Sequence, residues 1–384
     1  MVVPAASDSE VCVSAMAWAT PLGNGLDGTW QQLLAGRTGL RDHRGEFELR
    51  NHAAGCLPGA DLSRPVASRQ HELAVDLLCR ACLAGNLSID DGRVRVVLGT
   101  SYGSNLDEPA VSLAEWAVRA AAAAGVAHPP VSLSTACSAG SDAILVGAEL
   151  VRSDPATICV AGGVDVVSSA KRLGHSALGT LSPTELRAFD VGHDGMLPGE
   201  GGALLVLESA GSLRARGGQA LAVLCGGGAA NDAFTLTAPE KSGHSVVLAV
   251  SRALRAAALD AGDIDLLSAH GTGTVLNDDV ECRSLNTLFP EHGPLLFATK
   301  GALGHSLGAA GAIEAVCTIL ALRTGQIPPV AGLRHPLPAL TLPVALTGAR
   351  HTSGVGGVGA SVTIGFGGFN TCLIFAVRDD HVAA

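Results

Sequence analysis

Lysine is almost missing from this chain of 384 residues: only Lys171, Lys241 and Lys300 are present, and arginine supplies most of the positive charge. The imbalance reads as genomic codon bias. Charge of either sign is sparse at 16%, and 25 Lys+Arg against 35 Asp+Glu leave a net charge of −10. A protein that grips duplex nucleic acid needs a basic face, so nucleic acid is not an expected partner. No apolar run approaches the roughly 20 residues that a membrane helix needs. The start, MVVPAASDSE, is acidic where a secretory leader would carry a basic stretch. Ten cysteines in so long a chain do not form a secreted disulfide framework. These absences predict a cytoplasmic protein with reduced thiols and no membrane insertion.

Apolar and small residues are plentiful instead. Hydrophobic residues make up 47% of the chain and glycine contributes 49 residues, enough for a wide core. Short β-branched or apolar runs predict strands at Val94–Leu98, Thr157–Val160, Ala203–Leu207, Ile264–Leu267, Leu295–Phe297, Val362–Ile364 and Leu373–Val377. Helical stretches fall between them near 68–85, 111–124, 139–152, 245–261, 279–288 and 307–323. The alternation predicts an α/β fold with buried mixed sheets. Ser138–Val151 and Ser306–Leu322 are apolar or small on nearly every face, which predicts buried helices. Cys137 precedes the first and His305 the second. Two related halves follow, 1–212 and 213–384, with a boundary near ESAGSLRARGGQ.

Cys137 sits in STACSAGSDAI, where an extended stretch meets the start of a buried helix. The positive end of a helix dipole there predicts a lowered thiol pKa and a more nucleophilic sulfur. His270 in LLSAHGTGT and His305 in ATKGALGHSLGAAG occupy Gly-rich loops at strand ends. One histidine in such a place is commonly structural. Two, with a thiol, can form an acyl thioester and stabilise an enolate.

In order along the chain stand TPLGNGLDGTWQQLLAGRTGL, TACSAGSDAI, RAFDVGHDGMLPGEGGALLVLE, NDAFTLTAPE, AHGTGTVLNDDVE, TKGALGHSLGAAGAIEA and GFGGFN. This series resembles the elongating β-ketoacyl synthases, the decarboxylating enzymes that use Cys-His-His, nearly end to end. The resemblance implies the thiolase fold, an α-β-α-β-α sandwich of two pseudo-duplicated halves. It implies decarboxylative condensation of a Cys137-bound acyl chain with malonyl-acyl carrier protein, in type II polyketide or fatty-acid synthesis. His270 and His305 would assist decarboxylation and hold the enolate. The N–H groups of Cys137 and Phe366 would form the oxyanion hole, with Phe366 as a mobile gate. Lys300 would give electrostatic support, with Asp278, Glu281 and Glu314 at the acidic positions around it. The substrates would arrive on the phosphopantetheine of an acyl carrier protein, with no resident cofactor or metal. The assembly would be a homodimer, or a heterodimer with a chain-length-factor-like homologue.

The chain departs from the family pattern in two places. Phe369 stands where the family usually has Thr, and the segment between Gly163 and Arg187 is short. One rival reading is a chain-length factor, a kind of subunit that has lost the nucleophile that Cys137 supplies here; another is a non-catalytic carrier-binding subunit, in which the Cys137 thiol would be inert to iodoacetamide. Initiating enzymes of the fold carry Asn where His305 stands. Cys79 and Cys82 form a C-x-x-C without a second ligand pair, so helix packing is the better reading than zinc. CGGGAAND and SGVGGVGAS lack the strand–GxGxxG–helix context of a nucleotide site. His43, His52, His71, His128, His193 and His244 read as surface or loop residues.

Overall fold

The computed structural model describes residues 7–108, 112–290, 293–346, 350–351 and 355–378. The first six residues of the acidic start, residue 111 of the helical stretch predicted near 111–124 and the first two residues of SGVGGVGAS lie outside them.

Ten strands form the main sheet: β1 Val11–Ala19, β2 Val94–Gly99, β3 Val131–Leu133, β4 Ile158–Asp165, β5 Gly201–Ser209, β6 Ala222–Asn231, β7 Leu266–Ser268, β8 Leu295–Phe297, β9 Gly357–Ile364 and β10 Phe369–Val377. Their spatial order is β8-β7-β9-β10-β6-β1-β5-β4-β2-β3. The first five strands are arranged 3-2-4-5-1, and the second five repeat that order. The directions repeat as well. β2 is parallel to β3 and β4, while β5 is antiparallel to β4 and β1. β7 is parallel to β8 and β9, while β10 is antiparallel to β9 and β6. β1 and β6 join through only two residue pairs, Cys12–Val223 and Val13–Ala222. The sheet is therefore two five-stranded units stitched at one edge. This is the pseudo-duplicated thiolase architecture that the sequence predicts.

Helices Ala139–Ser153 and Ala310–Thr324 pack against each other and against strands of both units. Every residue from Ala310 to Leu322 is buried. Leu307–Thr324 is long and apolar enough to cross a membrane by composition, contrary to the expectation that no run qualifies, but it is the central core helix. Helices Val66–Ala84 and Glu115–Ala124 cover the outer face of the first unit. His244–Ala257 covers the second, with Val275–Leu288 packed beside it. All eight residues of β4 are buried, because helices close both faces. A continuous apolar run therefore serves β4 better than alternation.

The close approach of the two central helices depends on missing side chains. A Cβ on Gly311 would lie 1.9 Å from Ser141 Oγ, and one on Gly140 would lie 3.1 Å from the Ala312 nitrogen. The CGGGAAND run is strand as far as Asn231, and its glycines let His244–Ala257 lie almost on the backbone of β6.

Candidate active site

Each central helix is entered through a one-turn 3₁₀ segment, Ala136–Ser138 in one half and Leu307–Ala309 in the other. The first residue of each turn has a left-handed backbone, with φ +52° at Ala136 and +47° at Leu307. A non-glycine residue held at positive φ costs about 1–3 kcal/mol, so the surrounding packing must enforce it. The first bend delivers Cys137. The second closes the loop that delivers His305.

The three predicted residues meet. His305 Nε2 lies 3.1 Å from Cys137 Sγ. The His270 and His305 rings stand edge to face, 5.3 Å between centroids. One ligand-type atom from each of the three residues lies within 4.8 Å of the others. All three are buried. They line a cavity of about 130 Å³ with His175, Met196, Thr272, Asn277 and Phe366.

Hydrogen bonds assign the imidazole protons. The Leu307 N–H donates to His305 Nδ1 at 3.3 Å. Lys300 Nζ donates to His270 Nδ1 at 3.1 Å, and also to the His270 carbonyl and to Glu314. Each Nδ1 is thus an acceptor, and each Nε2 carries its proton into the cavity. Burial, then the Lys300 charge, holds both histidines well below the ordinary pKa, so both are neutral at pH 7. A Cys-His-His set resembles a thiophilic metal site in composition. Here, however, both Nδ1 lone pairs already face donors, and the His305 Nε2–H points at Sγ. The donor set fits hydrogen-bond donation better than metal ligation.

Burial pushes the Cys137 thiol up to about 11, against the downward pull of the Phe366 N–H and Lys300. The sequence expectation of a lowered pKa is not met: the enclosed sulfur loses more hydration than the Phe366 N–H and the Lys300 charge return. The Phe366 backbone N–H bonds to this sulfur, and a Cβ on Gly365 would lie 3.4 Å from the Cys137 nitrogen. The two predicted oxyanion donors are therefore neighbours. Phe366 opens the turn Phe366–Gly368, where Gly367 and Gly368 have φ +74° and +75°. The departing residue Phe369 is 38% exposed, with its ring against Gly367.

The acidic positions divide. Glu314 lies against Lys300, its carboxyl raised to about 7 by burial. Glu281 accepts from the His270 and Gly271 N–H groups at 2.6 and 2.8 Å and is also raised to about 7 by burial. Asp278 accepts from Phe189 and Gly273 N–H and from His193 Nδ1. Asp278 and Glu281 thus shape the 270–274 turn instead of pairing with Lys300. His193, read as a surface or loop residue, has a side chain only 7% exposed at that bond.

Sequence reasoning missed His175. It lies on helix Ser169–Ala177, inside the shortened segment, and its ring faces Phe366 at 5.8 Å between centroids. Its only signal is the i,i+4 spacing from Lys171, which places both on one helix face. Lys171 is itself buried against Asp165.

Comparison with known proteins is consistent in direction. Residues 8–212 match the family model described as beta-ketoacyl synthase, N-terminal domain, and 221–334 match the corresponding C-terminal domain. A 3-oxoacyl-[acyl-carrier-protein] synthase 2 of Mycobacterium bovis is 31% identical over 95% of this chain and 96% of its own. A mitochondrial 3-oxoacyl-[acyl-carrier-protein] synthase of Arabidopsis thaliana is 38% identical over 66% of this chain and 57% of its own. Among solved structures, the ishigamide ketosynthase/chain length factor superposes with TM-score 0.87 at 28% identity, covering 96% of this chain and 99% of that one. A beta-ketoacyl synthase from Burkholderia phymatum gives 0.86 at 29%, covering 96% and 100%.

Proposed function

This chain belongs to the β-ketoacyl synthase family, acyltransferases that extend acyl chains by decarboxylative condensation on an acyl carrier protein, and from that premise we propose how its residues divide the work. Cys137 Sγ attacks the carbonyl of an acyl-carrier thioester. The oxyanion is held by the N–H groups of Cys137 and Phe366. The bond between the acyl carbon and the pantetheine sulfur breaks, and the thiol proton leaves on the carrier sulfur. A malonyl thioester then binds with its carbonyl facing the Nε2–H groups of His270 and His305. Loss of CO2 sends the electron pair into the enolate these donors stabilise. The enolate carbon attacks the Cys137 acyl carbonyl, and Cys137 departs to regain a proton. The product is a 3-oxoacyl-carrier thioester.

Lys300 acts behind His270 by fixing which nitrogen carries the proton. Glu281 and Asp278 hold the turn that aims it. The reaction runs on these side chains without a resident metal or cofactor. Phe366 is the gate, supported by the two glycines that follow it at positive φ.

The 3.1 Å contact between His305 Nε2 and Cys137 Sγ carries this reading, since it joins the nucleophile of one half to a donor of the other. The names of the mycobacterial relatives support an acyl carrier protein as donor. The ketosynthase/chain-length-factor neighbour supports a paired subunit, identical or homologous. The outer edge of β3, with Val131 exposed, supports the same.

Cys137→Ala should abolish acyl transfer from an acyl carrier protein, read by intact-protein mass. His305→Ala should still form the acyl-enzyme yet lose condensation by about 10²- to 10³-fold. Acylation at another residue in the first variant, or condensation near the wild-type rate in the second, refutes the assignment.

A further inference from the structure

We infer that His175 is a specificity-determining residue that reads the first carbons of the acyl chain on Cys137 and favours chains carrying a hydroxyl or similar hydrogen-bond donor there. The inference rests on the ketosynthase reading of Cys137.

Two cavities meet at the sulfur. One, described above, is lined by the catalytic histidines. The other, about 260 Å³, is largely apolar, with Leu106, Ala136, Leu178 and Leu307 in its wall. Only Cys137, His175 and Phe366 line both. A chain bonded to Cys137 and lying in the apolar cavity therefore starts beside the His175 ring.

The protonation of that ring differs from that of the other two. Thr180 Oγ1 lies 3.1 Å from the His175 carbonyl oxygen and 2.9 Å from His175 Nδ1. We place the single hydroxyl proton on the carbonyl, so that Thr180 meets Nδ1 with a lone pair and Nδ1 carries the ring proton. Nε2 keeps its lone pair and has no hydrogen-bond partner among the described residues. Burial, then the Lys171 charge, lowers the pKa of His175 to about 4, so it stays neutral. His270 and His305 thus present donors to the site, whereas His175 presents an acceptor. Lys171, the other polar group on this helix face, is occupied by Asp165 and the Val166 carbonyl.

A saturated chain passing this acceptor strips it of water and offers nothing in return, whereas a donor on the third carbon satisfies it. Sites built around an unmatched polar group discriminate strongly. Phe366, tilted against the same ring at 5.8 Å between centroids, keeps the acceptor at the chain's first carbons when the gate is closed.

The test is single-turnover acylation of the full chain by butyryl- and 3-hydroxybutyryl-pantetheine thioesters, followed by intact-protein mass. Wild type should take the hydroxy chain preferentially. His175→Phe keeps a ring for Phe366 but removes the acceptor. It should lower the hydroxybutyryl-to-butyryl rate ratio by about tenfold. Thr180→Val frees the ring to protonate at Nε2 and should shift the ratio the same way, which covers a His175→Phe protein that fails to fold. An unchanged ratio in the variants overturns the role of His175. Failure of both thioesters to acylate wild-type Cys137 overturns the underlying ketosynthase reading instead.

Discussion

Cys137 is the residue on which composition-level reasoning and three-dimensional burial disagree most usefully. The Phe366 N–H and the Lys300 charge favour thiolate, but enclosure favours thiol, and enclosure wins. With the thiol raised to about 11, alkylation of Cys137 by iodoacetamide should quicken about tenfold per pH unit from pH 7 to 10. Peptide mapping of the labelled site would check it, and a rate flat above pH 7 would mean that a thiolate persists in the resting protein. Burial also sets the acid response. The ordinary imidazole pKa is near 6.5, whereas folding holds His175, His270 and His305 below it. The unfolded chain therefore binds protons that the folded one refuses. Their contribution to stability is present above pH 6.5 and is lost as the pH falls through the depressed values. His175→Phe should reduce this loss between pH 6.5 and about 4, seen as a smaller fall in the urea midpoint. Glu314 works in the opposite sense. Its raised pKa gives stability below the ordinary carboxyl value that is lost as the pH rises through about 7. Glu314→Gln should accordingly gain on wild type in urea midpoint between pH 5 and pH 8.

At the scale of elements, the strand-bend-helix units do the positioning. Gly308 occupies the place in the second bend that Cys137 occupies in the first, and its N–H donates to Asp165 at 3.0 Å. Gly308→Ala has no room for its methyl and should destabilise the fold by at least about 2 kcal/mol, measured by urea unfolding. Both buried helices were legible in the sequence because small residues on every face leave no solvent side. The seven predicted strands overlap strands of the structure or abut them. Two of the longest, β1 and β6, were not legible. VCVSAMAWA and the glycine run of β6 carry weak strand signals on their own, and their strand state is imposed by antiparallel neighbours. Helix Ser169–Ala177 was missed for a related reason. Its polar sequence forms an amphipathic face only once the cavity exists to receive it. Cys137, His270, His305 and Lys300 could be read from motifs, whereas the tautomers, the two-cavity divide and His175 required coordinates, because each depends on residues far apart in the chain.

For the whole molecule, the repeated 3-2-4-5-1 order means that one layout serves two purposes. The first half carries the thiol, and the second carries both imidazoles and the ammonium behind them. They meet along the paired central helices, while the sheets touch through two residue pairs only. Reactivity therefore belongs to neither half. If the chain were severed in the stretch after Ser209 and the fragments purified apart, each would hold one side of an incomplete circuit. Mixing them should restore turnover only to the extent that the two long apolar helices find each other again, so activity itself would become a titration of their reunion.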